Sequence, residues 1–218
     1  MIPTYCLTNN NHLWLTPGFI YLWRKYTRNY PITIVGFDQQ PDNVNFLSLG
    51  KQLPASQWSN GLIKMCSIIP YSYFILMLED YWLYDYANIN QANGLLRYMS
   101  DDVLRIDLSG NRLVYPHQKL DNGLVETFED APYQMSFQAA VWNKKNLLKV
   151  LEKGENPWQS EINGSNRVGN LRVLGTQVLY YQPVWRSKQK RWQVDKLNKD
   201  DLNYIRSRGW MNERTITN

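Results

Sequence analysis

Glu79 and Asp80 are the side chains of this sequence best suited to chemistry. They follow the uninterrupted apolar run Tyr73-Phe74-Ile75-Leu76-Met77-Leu78 and precede two aromatic rings, Tyr81 and Trp82. A run this short and this apolar reads as a strand buried on both faces of a sheet. In open α/β sheets, ligands sit at the carboxyl ends of strands. Two carboxylates emerging there can hold a divalent cation or bond a ligand's hydroxyls. Their plain alternative is to begin a surface turn. The two histidines, His12 and His117, are about a hundred residues apart, show no metal-ligand spacing and read as surface or loop residues. There is no G-x-x-x-x-G-K-[ST], no G-x-G-x-x-G and no G-x-S-x-G, which argues against P-loop NTPases, dinucleotide enzymes and serine hydrolases of the nucleophile-elbow type.

The elements that must carry the acids can be read from apolar spacing. Ile2 to Leu7 forms a first short strand and ends in the polar run Thr8-Asn9-Asn10-Asn11-His12. A helix follows, capped by Thr16 with Pro17 at its first position, and Phe19, Ile20, Leu22, Trp23 and Tyr26 repeat at helical spacing. The β-branched stretch Pro31 to Phe37 is a second strand ending at Asp38, which completes a right-handed βαβ unit. Further expectations are a strand at Asn45–Leu49, a helix through Leu62 to Cys66, a helix over Ile89–Met99 and a strand at Val103–Leu108. Tyr115 to Pro132 reads as a long irregular loop, Tyr133–Val141 as a strand, and Asn143–Gly154 as a helix with a glycine C-cap. After the Gly/Asn-rich stretch Asn163–Asn170, Val173–Tyr181 reads as a late strand and Lys199–Arg208 as a short helix.

Composition sets the frame. The 218 residues are 44% hydrophobic and 20% charged, ordinary for a water-soluble globular chain with a substantial core. Cys6 and Cys66 lie inside apolar runs with no metal-site or disulfide spacing, which fits a reducing compartment. Neither a leader peptide nor a membrane-length apolar run is visible, so the expectation is a cytoplasmic protein. Charge is uneven: residues 1–142 carry nine Lys/Arg against twelve Asp/Glu, and residues 143–218 carry fifteen against seven. A basic C-terminal third suits a nucleotide diphosphate, a polyanion or an acidic surface, and equally a solvated face.

Four stretches, in order, are more specific: Gln57-Trp58-Ser59-Asn60-Gly61-Leu62-Ile63, Leu78-Glu79-Asp80-Tyr81-Trp82-Leu83, Tyr133-Gln134-Met135-Ser136-Phe137-Gln138-Ala139-Ala140-Val141-Trp142 and Gly154-Glu155-Asn156-Pro157-Trp158-Gln159-Ser160-Glu161. Together they resemble small, family-2-like GT-A-type glycosyltransferases of bacteria and their phages, over roughly Met1 to Arg167. The resemblance implies a Rossmann-like, mostly parallel mixed sheet flanked by helices. It implies a nucleotide-sugar donor, with a UDP-sugar foremost, and a divalent cation (Mn²⁺ or Mg²⁺) held by Asp80 against the departing diphosphate. The family's Asp-x-Asp is here Glu79-Asp80-Tyr81, so one of the two metal-facing acids is missing and Glu79 either shares the metal or bonds the ribose. The resemblance also places Thr8, Asn9, Asp38, Trp58 and Arg167 on the donor side, and Trp82, Gln138 and Trp158 on the acceptor side. Glu161 falls where related inverting enzymes carry the carboxylate that takes the acceptor's proton, with Glu155 as the alternative base. The non-catalytic alternative is that Glu161 caps the next turn or pairs with Arg167. Arg167, Arg172, Arg186 and Lys188 are all open as a phosphate clamp.

The expected organisation is a catalytic domain over 1–182 and a basic extension over 183–218 packed on or near it. Two acceptors fit: a surface or lipid-linked glycan, or hydroxymethylated pyrimidine in DNA. The run Trp185-Arg186-Ser187-Lys188-Gln189-Lys190-Arg191-Trp192 interleaves rings and cations in a way that suits DNA, or a plain surface hairpin. The rival readings are a non-catalytic nucleic-acid-binding protein and a metal-dependent nucleotidyltransferase.

Overall fold

The computed structural model describes residues 1–186 and 188–211. Ser187, inside the Trp185–Trp192 run, and the end of the anticipated 183–218 extension lie outside the described residues. The chain runs β1 (Thr4–Leu7), α1 (Thr16–Tyr26), β2 (Thr33–Gly36), β3 (Asn45–Ser48), α2 (Trp58–Ile68), β4 (Tyr73–Leu78), β5 (Tyr81–Leu83), α3 (Ile89–Gly94) and β6 (Val103–Asp107). It continues with β7 (His117–Lys119), β8 (Val125–Thr127), β9 (Ala140–Asn143), α4 (Lys144–Val150), α5 (Pro157–Asn166), β10 (Arg172–Gly175) and β11 (Tyr181–Pro183). The two-residue strands β12 (Trp185–Arg186) and β13 (Arg191–Trp192) and the helix α6 (Lys199–Ser207) complete it.

Nine strands form one sheet in the order β3-β2-β1-β4-β9-β6-β10-β8-β7. β3, β2, β1 and β4 are mutually parallel, β9 is antiparallel to both β4 and β6, and β10 runs parallel to β6. The chain leaves β1 toward β2 and β3, then returns to lay β4 on β1's other side. The carboxyl ends of β1 and β4 therefore flank a topological switch point, where an open sheet leaves a crevice. β4 shows why its run is uninterrupted. Ile75 and Met77 join Phe19, Leu22 and Trp23 of α1 in one buried cluster, while Phe74 and Leu76 join Leu62 and Met65 of α2 and Leu147 of α4 in the other. Alternating side chains are thus covered on both faces, each contributing roughly 1.5–3 kcal/mol of burial. Val184, Leu197 and Ile205 belong to the first of these clusters.

Several elements differ from the sequence expectation, each for a local reason. The polar run after β1 is a 3-10 turn, Asn10–Leu15, capped by Asn9, so α1 begins with Thr16 and Pro17 in its first turn and Leu15 as its N-cap residue. The expected helix over Ile89–Met99 tightens to 3-10 geometry at Leu95–Tyr98. The long loop 115–132 contains the hairpin β7–β8. Of Tyr133–Val141 only the end is strand, because Tyr133 takes a φ of 55° and the buried segment after it makes no ladder. The expected helix to Gly154 stops at Val150, and Gly154, with a φ of 79°, serves the turn into α5. The Gly/Asn-rich stretch Asn163–Asn170 is helical through Asn166, where α5 ends. The late strand divides into β10 and β11.

Candidate functional site

A cavity of about 360 Å³ opens at the switch point between β1 and β4. Thr8 and Asn9 line it from the end of β1, Glu79, Asp80 and Tyr81 from the end of β4, Trp58 from the start of α2, and Trp158 and Glu161 from α5. Trp185 of β12 closes part of its mouth. Residues scattered over more than 150 positions of sequence are thereby brought to one crevice.

Each wall is fixed by local chemistry. Thr8 extends the parallel pairing past β1, its amide donating to the Val35 carbonyl at 2.8 Å. Asn9 then caps the 3-10 turn by accepting from the His12 amide. That turn aims the His12 ring at Glu79, with Nδ1 3.1 Å from Oε1. Asn9 Nδ2 also lies 3.2 Å from Nδ1. A protonated Nδ1 donates to Glu79 and a bare Nδ1 accepts from Asn9, so the proton on Nδ1, set by tautomer as well as by charge, selects between the two contacts. The hydrogen bond to Glu79 raises the His12 pKa, with burial opposing. Asp80 is raised to about 7, first by burial and then by the Glu79 charge, while His12 and Arg186 pull it back. By sequence alone His12 reads as a surface or loop residue. Its partner lies 67 positions away, so no local spacing could reveal it.

α5 carries the opposite wall. Asn156 accepts from the Gln159 amide while Gln159 Oε1 accepts from the Asn156 amide, a reciprocal capping box with Pro157 at the first helical position. Trp158 and Glu161, three residues apart, then share a helix face. Glu161 Oε1 accepts from the Phe137 amide at 2.7 Å. Burial raises the Glu161 pKa, with the Phe137 amide partly offsetting it. Trp58 meets the Phe137 ring edge-on at 4.5 Å.

Other expected site residues are elsewhere, and these are corrections. Arg167 does not face the cavity. Its guanidinium forks onto Glu155 at 3.0 and 2.8 Å, and Asn163 donates to the same carboxylate. Burial pushes Glu155 up, but the bonds from Arg167 and Asn163 outweigh it and hold its pKa below the usual range, so neither partner is free as clamp or base. The pairing of Glu161 with Arg167 is absent for the same reason. Arg172 is spent on Glu126 at the far side of the sheet. Trp82 is fully buried, its indole donating to the Glu79 carbonyl at 3.2 Å, so it braces the strand end and touches no acceptor. Gln138 accepts from the Tyr181 hydroxyl, and Tyr181 stacks on Tyr81, which places Gln138 one layer behind the wall. Asp38 is exposed and does not line the cavity, accepting from Asn10 Nδ2 at 2.6 Å.

Glu79 and Asp80 offer hard oxygen donors of the kind a divalent cation takes, and the mutual repulsion that raises Asp80 is what such a cation would relieve. Among the described residues, however, no group of three or more His, Cys, Asp and Glu side chains forms a cage. A cation here would need oxygens from water or ligand to complete its shell. Also among the described residues, no Lys or Arg lines the cavity, though Arg186 follows Trp185 and Lys188 Nζ lies 6.0 Å over the Trp158 ring. No helix in the described residues is long and apolar enough to cross a membrane.

No protein-family model matches the sequence, and no curated protein matches it either. Solved structures do match in shape. Staphylococcus aureus TarS, residues 1–349 in complex with UDP, superposes with a TM-score of 0.56 at 9% identity, covering 83% of this chain and 59% of that one. The chain spans 36% of the longer TarS structure. An apo UDP-glucose pyrophosphorylase matches with a TM-score of 0.51 at 10% identity, over 95% of this chain and 100% of the other. A cytidylyltransferase from Leptospira borgpetersenii matches at 0.52 and 7% identity, over 100% and 99%. Identities this low establish architecture alone, and the architecture is clear: a single-domain, GT-A-like fold with a mixed, mostly parallel sheet flanked by helices.

Proposed function

We propose that the protein transfers a sugar from a nucleotide-diphosphate sugar, with a UDP-sugar foremost, to a hydroxyl acceptor with inversion. The observation that carries this reading is one cavity with an acidic pair at a strand end on one wall and a separate half-buried carboxylate, Glu161, on the other. Thr8 and Asn9 lie beside the donor's nucleotide, and Glu79 and Asp80 face its diphosphate. A divalent cation held by Asp80, and shared by Glu79, would neutralise charge growing on the leaving diphosphate. Glu161, raised by burial, accepts the acceptor's proton as its oxygen attacks, and Trp158 forms the wall against which the acceptor lies. Arg186 and Lys188 complete the phosphate side.

The matches to nucleotidyltransferases motivate a second reading, in which a nucleoside triphosphate reacts with a phosphate acceptor. Glu161 weighs against it. A phosphate nucleophile is already ionised and needs no base, and a carboxylate facing it would repel it.

Thermal unfolding with UDP, UDP-glucose, UDP-N-acetylglucosamine and CTP, each with and without Mn²⁺, tests the reading. A UDP species at a hundred times its Kd should stabilise the fold by about 2.7 kcal/mol, a Tm rise of roughly 5–10 °C. Asp80→Asn should lose the part that depends on Mn²⁺. Stabilisation by CTP alone, with pyrophosphate released on turnover, would select the nucleotidyltransferase. Stabilisation by none of the four would remove both.

A further inference from the structure

A second concavity, larger than the one with the acids, adjoins it. A groove of about 830 Å³ lies on the other side of the Asn10–Leu15 turn, between α1, the loop 39–44 and the end of α6. We infer that this groove binds a neutral or weakly charged glycan chain, through the rings of Trp14, Tyr21, Tyr204 and Trp210 and the amides of Gln39 and Gln40.

The lining chemistry selects the ligand class. A pyranose offers a flat face of C–H groups and an edge of hydroxyls, each both donor and acceptor. The first packs on aromatic faces, and the second is matched by side-chain amides, which carry two donors and an acceptor oxygen in one plane. Tyr21 stacks on Tyr204 with centroids 4.6 Å apart, and Trp210 packs against both. These rings therefore form one braced platform, and Tyr204 keeps 43% of its surface exposed. Both glutamines are exposed, lie in the loop after β2 and line the same groove as that platform.

Charge argues against a nucleic-acid strand. A phosphate backbone needs a track of cations. Here the groove's two arginines share the lining with Asp42, and both are engaged: Arg24 Nη2 donates to the Asn43 carbonyl at 3.0 Å, and Arg208 lies 5.6 Å over the Trp210 ring. The same arginines, with the amides, are ill suited to a hydrocarbon ligand, since burying them under an apolar chain would leave donors unpaired.

The groove also has a structural connection to the candidate active site. The Asn10–Leu15 turn gives Asn10, Leu13 and Trp14 to the groove and Asn11, His12 and Leu15 to the cavity. Trp14 meets Trp185, which lines the cavity mouth, edge-on at 5.0 Å. On the glycosyltransferase reading, on which this step rests, the groove holds a part of the acceptor glycan away from the reacting hydroxyl and favours a glycan over DNA as acceptor.

The test is direct binding to the full chain, with no turnover required. Maltoheptaose, cellohexaose, chitohexaose and a twelve-nucleotide single-stranded DNA are titrated against the wild type, Tyr204→Ser, the double variant Gln39→Ala/Gln40→Ala, and Tyr71→Ser, an exposed ring outside both the groove and the cavity, with UDP titrated alongside. At least one oligosaccharide should bind, weakened about tenfold by each groove variant and unaffected by Tyr71→Ser, as expected when one or two anchors carry the affinity. Tyr204 and both glutamines are exposed, so these variants retain the fold, and unaltered melting curves verify it. Binding of none of the three sugars, or binding of DNA in their place, would overturn the inference. So would sugar binding indifferent to Tyr204. Because UDP is measured in the same samples, loss of the donor reading and loss of the groove reading give different results.

Discussion

Asp80 is where the site's electrostatics have the clearest consequence. Its pKa is about 7 in the folded protein and near 3.8 in a free chain. Between those values the native state binds a proton that the unfolded state releases, so stability falls as pH rises from about 4 to 7. Above that window the fold carries a charge pair it would be more stable without. Asp80→Asn should therefore be more stable than the wild type at pH 8 in EDTA, by on the order of 1–2 kcal/mol, with the gain shrinking toward pH 4. His12 acts in the opposite sense. Its raised pKa adds stability below about 6.5 that is lost as pH rises through the folded value. Urea unfolding of both proteins at the two pH values reads the Asp80 effect, and a gain independent of pH would mean that the fold does not raise the Asp80 pKa. Glu161 makes a separate prediction. Glu161→Gln keeps the Phe137 hydrogen bond but cannot take a proton, so kcat should fall about 10²–10⁴-fold with UDP affinity retained. A residual rate near that of the wild type would assign the base elsewhere.

At the scale of elements, α1 and the strand end it supports are built around one close approach. A Cβ on Gly18 would lie 2.4 Å from the Trp82 ring, which is buried and has nowhere to go. Gly18→Ala gains about 1 kcal/mol of helix propensity and loses more to overpacking, for a net loss of about 1–2 kcal/mol. Because the Trp82 indole holds the Glu79 carbonyl, donor affinity should fall with stability, and calorimetric titration of UDP beside a melting curve checks both. An unchanged Tm would show that the helix can slide past the ring. Elements of this kind were unevenly legible in the sequence. β4 matches its expected limits because a run covered on both faces has no polar residue to blur it. Segment 133–139 was misread as strand because a buried irregular loop carries the same apolar density, with Gln134 and Ser136 satisfying backbone that a ladder would otherwise serve. α5 is missed in the sequence because Gly164, Asn163 and Asn166 lower helix propensity. Gly164 is there because a Cβ would meet Met135 Cγ at 2.7 Å, a tertiary reason invisible to composition. The acids of the site were readable as strand-end residues. The Arg167–Glu155 fork and the His12–Glu79 contact were not, since each depends on side-chain partners that only the assembled fold supplies.

For the whole molecule, the uneven charge of the chain acquires a place. The acidic pair comes from the first half, while the basic β12–β13 hairpin returns from the C-terminal third to the mouth of the same cavity. Trp14, Trp185 and Trp192 pack edge-on at 5.0 to 5.6 Å and hold that hairpin in place, and the Arg186 charge already lowers the Asp80 pKa. If Arg186 and Lys188 compensate a bound diphosphate, their contribution is long-ranged and exposed, so salt should screen it. The double variant Arg186→Ala/Lys188→Ala should weaken UDP binding about tenfold at low ionic strength, with a much smaller effect at 1 M salt, and should leave Tm unchanged. Arg167→Met separates this from a general loss of positive charge. It leaves Glu155 without its fork and should cost about 1–3 kcal/mol of stability, while UDP affinity stays that of the wild type. Calorimetric titration of UDP at two salt concentrations decides the matter. Equal affinities for the wild type and the hairpin variant at low salt would leave Glu79, Asp80 and a cation as the whole of the phosphate site, and the basic C-terminal third as a solvated face.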